Sequence, residues 1–379
     1  MPAQKIRLGI IGGGKGSMIG DIHRMGALRS GAFEIVAGAL SSTKERADAS
    51  ATAAGIPLDR SYGSFLDMAE AEAARADGIE AVAILTPNAL HAPAIHAFAR
   101  NGVHIICEKP MTGDLPQATS VADAVNAAGI AFIVAHSYSA FAMPRRARAL
   151  IAEGMLGDIR TVHVAYLQDG RVALEHGQAS PATHWHLDPA KSGISGTLAD
   201  VGSHAAHMAT WLTGLTIEEV CADLSALGPH NLLDNDGNAL LRFKGGAKGT
   251  LAASQLAIGK ANGFGFYLFG TLGSLTWSVE TPNELHFAQF GKAPEVLSPD
   301  EAERTEDAHW ETMGFGPFAP YASAFTRLYT EAAERINAKK EGRAAKPDFA
   351  PDLKQGLDVM KFINAAVRSS ANGSVWVKL

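Results

Sequence analysis

Ile6-Arg7-Leu8-Gly9-Ile10-Ile11 runs without a break into Gly12-Gly13-Gly14-Lys15-Gly16-Ser17, and Met18, Ile19, Ile22, Met25 and Leu28 follow at helical spacing. A short apolar run, a glycine turn and an amphipathic stretch read as strand, turn and helix. In that setting the missing side chains let backbone N–H groups approach a pyrophosphate at a helix N-terminus, where the dipole favours negative charge. Gly12 and Gly14 hold the first two positions of a G-x-G-x-x-G fingerprint; Ser17 stands at the third, with glycine displaced to Gly16 and Gly20. The stretch predicts a dinucleotide held by Gly12, Gly13, Gly14 and Ser17.

Working outward, the apolar runs Phe33–Leu40, Ala81–Leu85, Val103–Cys107 and Ala131–Ala135 alternate with Ala-rich stretches of helical length. That alternation is the signature of βαβ units, so residues 1–140 are expected to form a doubly wound parallel sheet. Ligands bind such sheets at the C-terminal strand ends. Thr86, Asn88 and His91 stand at one end and Glu108 and Lys109 at the next, which makes them candidates to face the dinucleotide. The second strand ends without a carboxylate, at Ser41-Ser42-Thr43-Lys44. Ser41 and Ser42 suit a free ribose 2′-OH or a 2′-phosphate, and Lys44 suits the phosphate, so the residues leave NAD and NADP both open; Ser42 or Thr43 equally reads as a helix N-cap.

Beyond residue 140 the rhythm changes: a helix at 144–153, a strand at 158–167, a polar loop, a helix at 196–212, then strand patterns at 215–224, 239–243, 248–256, 265–270 and 274–279. Strands without intervening helices predict an α+β second domain, residues 141–379, with a large, open, mostly antiparallel sheet. Residues 294–316 read as an acidic surface loop, and helices are expected at 321–341 and 353–370.

The composition narrows the functional classes. Of 379 residues 47% are hydrophobic and 19% charged, which is globular, and 33 Lys and Arg against 39 Asp and Glu give a formal charge of −6. The basic footprint of a nucleic-acid binder is missing. Two cysteines, Cys107 and Cys221, build neither a disulfide framework nor a Cys-based zinc site, which fits a reducing, cytoplasmic setting. No apolar run reaches the ~18 residues of a membrane span, and the N-terminus reads as neither secretory nor membrane-bound.

With the glycine turn, the triplet Glu108-Lys109-Pro110 closely resembles the glucose–fructose oxidoreductase and inositol dehydrogenase family (Gfo/Idh/MocA). The similarity continues through His136-Ser137-Tyr138, Arg145-Arg146-Ala147-Arg148, Gly157-Asp158-Ile159-Arg160 and Leu198-Ala199-Asp200-Val201-Gly202-Ser203-His204, covering essentially the whole chain. The resemblance implies a Rossmann domain binding NAD, NADP not excluded, with His136 and Glu108 near the cofactor. It places Lys109 beside the nicotinamide and a substrate hydroxyl, and implies a small carbohydrate or polyol substrate, inositol-like, met by Lys109, Tyr138, Trp185, His186, Asp200 and His204. It also implies a homo-oligomer, dimer or tetramer, paired through the open sheet. Asp200 and His204, four apart on a helix, lie within mutual reach, so the carboxylate can orient the imidazole as a general base. The expected catalytic group is therefore Lys109, Asp200 and His204, in an NAD(P)-dependent sugar or polyol dehydrogenase without a metal.

The chain departs from its inositol-specific relatives in places. His184-Trp185-His186-Leu187-Asp188-Pro189 lacks the arginine they often carry after the tryptophan, and His207 replaces an acid or amide. These changes argue against a simple transfer of inositol specificity. Three rival readings stand beside the dehydrogenase. The first is a zinc site from His184, His186, Asp200, His204 and His207. The second is an NAD-dependent glycosidase that oxidises C3 transiently and eliminates the aglycone with no net redox change. The third is a nucleotide-sensing regulator, against which retention of Lys109 and His204 speaks.

Overall fold

The computed structural model describes residues 4–178, 185–229, 231–302, 304, 319–346 and 348–379. They divide into two compact units. In the first, strands β1 (Ile6–Gly12), β2 (Phe33–Ala39), β3 (Ala81–Leu85), β4 (His104–Cys107) and β5 (Phe132–Val134) form a parallel sheet of order β2-β1-β3-β4-β5. The order reverses at β1, so the crevice outside the ends of β1 and β3 is where such a sheet takes a ligand. Helices α1 (Met18–Arg29), α2 (Lys44–Ala53), α3 (Phe65–Ala73), α4 (His91–Ala99) and α5 (Leu115–Ala128) connect the strands. Strand side chains such as Ile6, Leu8, Ile10, Ala81, Ala83 and Ile106 are fully buried, as a sheet covered on both faces requires.

The first unit is not continuous in sequence. The sequence reading assigns everything from 141 to 379 to a second domain, but residues 319–354 pack with the first. The cause is apolar closure: Phe325, Leu328, Tyr329, Ala332, Ala333 and Ile336 all lie in the same buried cluster as Ile6, Leu8 and Phe33. They sit on a long helix Ala319–Lys340, numbered α8 because two helices of the second unit, α6 and α7 below, precede it in the chain.

In the second unit α6 (Ala142–Ala152), α7 (Ser203–Thr213) and most of α9 (Leu353–Ala371) accompany nine described strands. These are β6 (Ile159–Leu167), β7 (Ile217–Ser225), β8 (Asp236–Phe243), β9 (Lys248–Ser254), β10 (Gly263–Gly270), β11 (Gly273–Ser278), β12 (Leu285–Gln289), β13 (Glu295–Leu297) and β14 (Val377–Lys378). The sheet order is β13-β12-β11-β10-β6-β9-β8-β7-β14, with β6–β9 the one parallel pair among them. The mostly antiparallel expectation holds. Glu295–Leu297 corrects the loop expected there, because it pairs with β12 through Leu285, His286 and Phe287; most of residues 303–316 lie outside the described part. Val162, Val164, Phe264, Phe266, Leu251 and Leu241 line the buried face. Among the described residues no helix is long and apolar enough to cross a membrane.

The crossing of α1 and α8 is set by one glycine. A Cβ at Gly26 would lie 2.9–3.0 Å from the Cβ, C and O of Phe325. Gly26→Ala is therefore expected to cost about 1–3 kcal/mol, the usual range for overpacking, read as a lowered urea midpoint with an unchanged slope.

Candidate functional site

The turn after β1 is shaped to bring backbone close to a ligand. Gly12, Gly13 and Gly16 have φ of 74°, 62° and 86°, the left-handed region open to glycine. A Cβ at Gly14 would lie 2.4 Å from the Leu40 carbonyl oxygen, and one at Gly20 2.0 Å from that of Gly13. Ser17 caps α1, its hydroxyl accepting from the Gly20 amide at 3.1 Å. The turn is tied to α2, since the Lys15 amide donates to Ser50 Oγ at 3.1 Å. A cradle of glycines at a capped helix N-terminus, at the sheet's switch point, fits a pyrophosphate.

Around it the other first-unit candidates behave differently from one another. Ser41 is half-buried and Ser42 exposed beyond β2, while Lys44, also exposed, spends its charge on Asp48 four residues on, at 2.5 Å. Thr86 is half-buried and Asn88 buried at the end of β3. His91 is fully buried, its Nδ1 2.9 Å from the Pro110 carbonyl oxygen and its Nε2 2.8 Å from that of Thr86. Burial holds its pKa below the usual histidine value. His91 thus ties the loop after β3 to the loop after β4, and its ring faces those two carbonyls where the sequence reading turned it to the cofactor. His136 and Tyr138 are buried past β5, with the Tyr138 ring 5.9 Å from that of Tyr321.

Lys109 follows β4 and is half-buried. Glu108 beneath it is almost fully enclosed; its Oε2 accepts from the Lys109 amide at 3.1 Å and its Oε1 lies 2.9 Å from His23 Nε2. Burial opposes the carboxylate, yet the His23 hydrogen bond and the charges around it hold its pKa below the ordinary value. On the far side of the ring Nδ1 meets the Tyr329 hydroxyl at 2.8 Å. His23 and Tyr329 escaped the sequence reading: Tyr329 lies 306 residues from His23, and no local pattern joins them.

The second-unit candidates have their own setting. The sequence reading puts Asp200 and His204 on one α-helical face, but Leu198–Gly202 winds as a π-turn and α7 begins only at Ser203. Such a turn inserts an extra residue and recurs at functional sites. Asp200 accepts from Gln255 Nε2 at 2.9 Å, and the amide is oriented by Thr197, whose hydroxyl donates to Gln255 Oε1 at 2.7 Å. Gln255, just past β9, is a further group missed from the sequence, where a lone glutamine after a strand carries no signal. Buried Arg171 adds its charge near Asp200 and Asp234. His204 is buried, its ring 5.9 Å from Tyr166 and 6.4 Å from Phe264. Trp185 and His186 stack on each other with ring centres 3.6 Å apart. His184 lies outside the described residues, and among the described ones no three His, Cys, Asp or Glu side chains are arranged to hold a metal ion.

Comparison with known proteins follows the same division. Residues 6–136 match the oxidoreductase family with an NAD-binding Rossmann fold, and residues 145–276 match the GFO/IDH/MocA C-terminal domain. An uncharacterised oxidoreductase, YfiI, of Bacillus subtilis is 31% identical over 99% of this chain and 97% of its own. The chain belongs to the Gfo/Idh/MocA family of oxidoreductases, and its first unit is the family's NAD-binding domain. Levoglucosan dehydrogenase of Pseudarthrobacter phenanthrenivorans is 29% identical over 99% of this chain and 98% of its own. An inositol dehydrogenase homologue of Azotobacter vinelandii, solved with NAD+, superposes with a TM-score of 0.89 at 30% identity, covering 100% of this chain and 98% of that one.

His207 bears on stability. It is fully buried, and burial together with Arg148 pushes its pKa down to about 3 against a hydrogen bond to Gln355. The unfolded chain binds a proton at about 6.5, so between those values the unfolded state holds more protons and stability falls with falling pH. Stability is complete well above pH 6.5 and drops by roughly 3 kcal/mol by pH 4.5 from this residue alone. Urea titrations across that window are expected to show a shallower fall for His207→Asn; an equal slope would remove His207 as the cause.

Proposed function

We propose that the chain is an NAD-dependent dehydrogenase that oxidises a secondary hydroxyl of a sugar, glycoside or polyol. The observation that carries the reading is Lys109, half-buried at a C-terminal strand end and fixed through its own amide by the ionised Glu108. The glycine turn belongs to the same unit. A nicotinamide dinucleotide held by the glycine turn would supply the hydride acceptor for the carbinol carbon. Lys109 donates a hydrogen bond to the substrate oxygen and stabilises its developing negative charge. His204 takes the hydroxyl proton on a ring nitrogen, and Asp200, oriented by Gln255, favours the protonated ring. The carbon loses a hydride and the oxygen a proton, leaving a ketone. Gly12, Gly13, Gly14 and Ser17 hold the pyrophosphate, and Ser41 and Ser42 meet the ribose. Lys44 already pairs with Asp48, and Ser41, Ser42 and Thr43 beside it bring no further cation to meet a 2′-phosphate, which favours NAD. Trp185, His186 and Tyr138 bind the substrate; the relatives' substrates, levoglucosan among them, support a carbohydrate.

Purified protein with NAD or NADP and a panel of inositols, aldoses, anhydrosugars and glycosides is expected to raise absorbance at 340 nm with NAD, and Lys109→Ala to lose at least ~10³-fold in turnover while keeping NADH affinity. Aglycone release without accumulating NADH would instead assign a redox-assisted glycosidase, and full turnover by Lys109→Ala would reject the lysine's role.

We further propose a dimer or tetramer formed through the open face of the large sheet. Tyr267, His163, Thr250 and Leu240 lie in one register row across β10, β6, β9 and β8, with Tyr267 and Leu240 about half exposed. Phe269 adds an exposed ring beside them. Light scattering at micromolar concentration is expected to give a multiple of the chain mass, with a monomer as the contrary result.

A further inference from the structure

From the chain Tyr329–His23–Glu108–Lys109 we infer that His23, braced by Tyr329, is a positioning residue that keeps Glu108 charged and clamped beneath Lys109. The inference deepens the dehydrogenase reading, on which it rests, by naming what sets the lysine's electrostatic surroundings. It starts from hydrogen-bond chemistry. An ionised carboxylate only accepts, so the 2.9 Å contact between His23 Nε2 and Glu108 Oε1 requires the hydrogen on Nε2. On the other side of the ring Nδ1 shares a hydrogen bond with the Tyr329 hydroxyl at 2.8 Å. Each bond polarises the next, which strengthens the donor offered to Glu108. The other oxygen of the carboxylate takes the Lys109 amide.

Nothing in this chain is loose. His23 is fully buried, its ring edge-on to Phe325 at 4.7 Å and to Tyr329 at 5.7 Å between centres. Tyr329 is fully buried against Phe33. Glu108 is 8% exposed, so water supplies little of its solvation. A carboxylate in such a place without a donor becomes neutral, with a pKa that reaches about 8–9 in buried sites. The remaining ionisable groups facing Glu108 are Lys109 on its own loop, His91 from α4 and Cys107 from β4. Burial keeps His91 neutral and the Cys107 thiol protonated, which leaves His23 and Lys109 to balance the carboxylate. Removing the His23 donor leaves Glu108 with only the Lys109 amide and charge, which moves its titration upward toward neutral pH, and the charge beside Lys109 then changes within the working range. The sequence offers no hint of this, since His23 and Glu108 are 85 residues apart and Tyr329 comes from a helix that follows β13 of the second unit.

The test follows the lysine itself and needs neither substrate nor turnover. Lysines of the full-length protein are reductively methylated with 13C, the Lys109 signal is assigned by its loss in Lys109→Arg, and its shift is followed from about pH 4 to 10. In the unaltered protein the signal is expected to show no Glu108 inflection above about pH 4.5. In His23→Leu a second inflection is expected between about pH 6 and 9, vanishing when Glu108→Gln is added. His23→Gln, whose amide can donate in place of Nε2, is expected to restore most of the original curve, as a merely space-filling role for the ring would not. A His23→Leu curve indistinguishable from the original overturns the inference. Should that variant lose its fold, Tyr329→Phe decides: it keeps the ring packing and removes only the hydroxyl, and the Glu108 inflection must move upward or the proposal fails. Loss of the Lys109→Ala turnover effect would reject the dehydrogenase roles while leaving this titration intact, so the two failures are distinct.

Discussion

A parallel sheet buried on both faces leaves each strand residue in need of an apolar neighbour, and the first unit finds the last of them far along the chain. Ile6, Leu8 and Phe33 share one buried cluster with Phe325, Leu328, Tyr329 and Ile336 of α8. Gly26 permits the close approach, because no Cβ stands between α1 and the backbone of Phe325. The same packing brings a tyrosine hydroxyl to the inner side of His23, and through the ring to Glu108. An apolar demand of the fold thus delivers a polar chain to the foot of the candidate lysine.

Both units solve one electrostatic problem in similar ways. A carboxylate placed away from water must be given donors, or it neutralises. Glu108 receives His23 and the Lys109 amide. Asp200 receives Gln255, itself fixed by Thr197. Asp234 receives the Ser195 hydroxyl and the amides of Gly196 and Leu198, which fastens the start of the π-turn that carries Asp200. In each case the donors fix the carboxylate's direction.

Much of the fold was legible because it depends on local pattern. The glycine turn, the alternation through residue 135 and the later run of strands each follow from spacing within a few residues. The short strands Leu285–Gln289 and Glu295–Leu297 were not legible, since an edge strand of three to five residues leaves little periodicity. At the candidate site the residue types were readable and their surroundings were not. His91 reads as a polar group at a strand end, yet only the fold reveals two carbonyl oxygens against its ring. Lys44 reads as a phosphate ligand until Asp48, one helical turn on, is seen to hold it. Asp200 and His204 sit at helical spacing, but the winding between them is π and not α.

The sequence by itself determined the two kinds of sheet, the nucleotide-binding turn and the family to which the chain belongs, because each is written in contiguous residues whose spacing matches a backbone period. Only the tertiary structure decided which unit claims the helix from Ala319 to Lys340, which donors meet Glu108 and Asp200, and what His91 holds. Those outcomes depend on contacts between residues up to hundreds of positions apart, where burial and hydrogen-bond direction are properties of the packed chain and have no period to read.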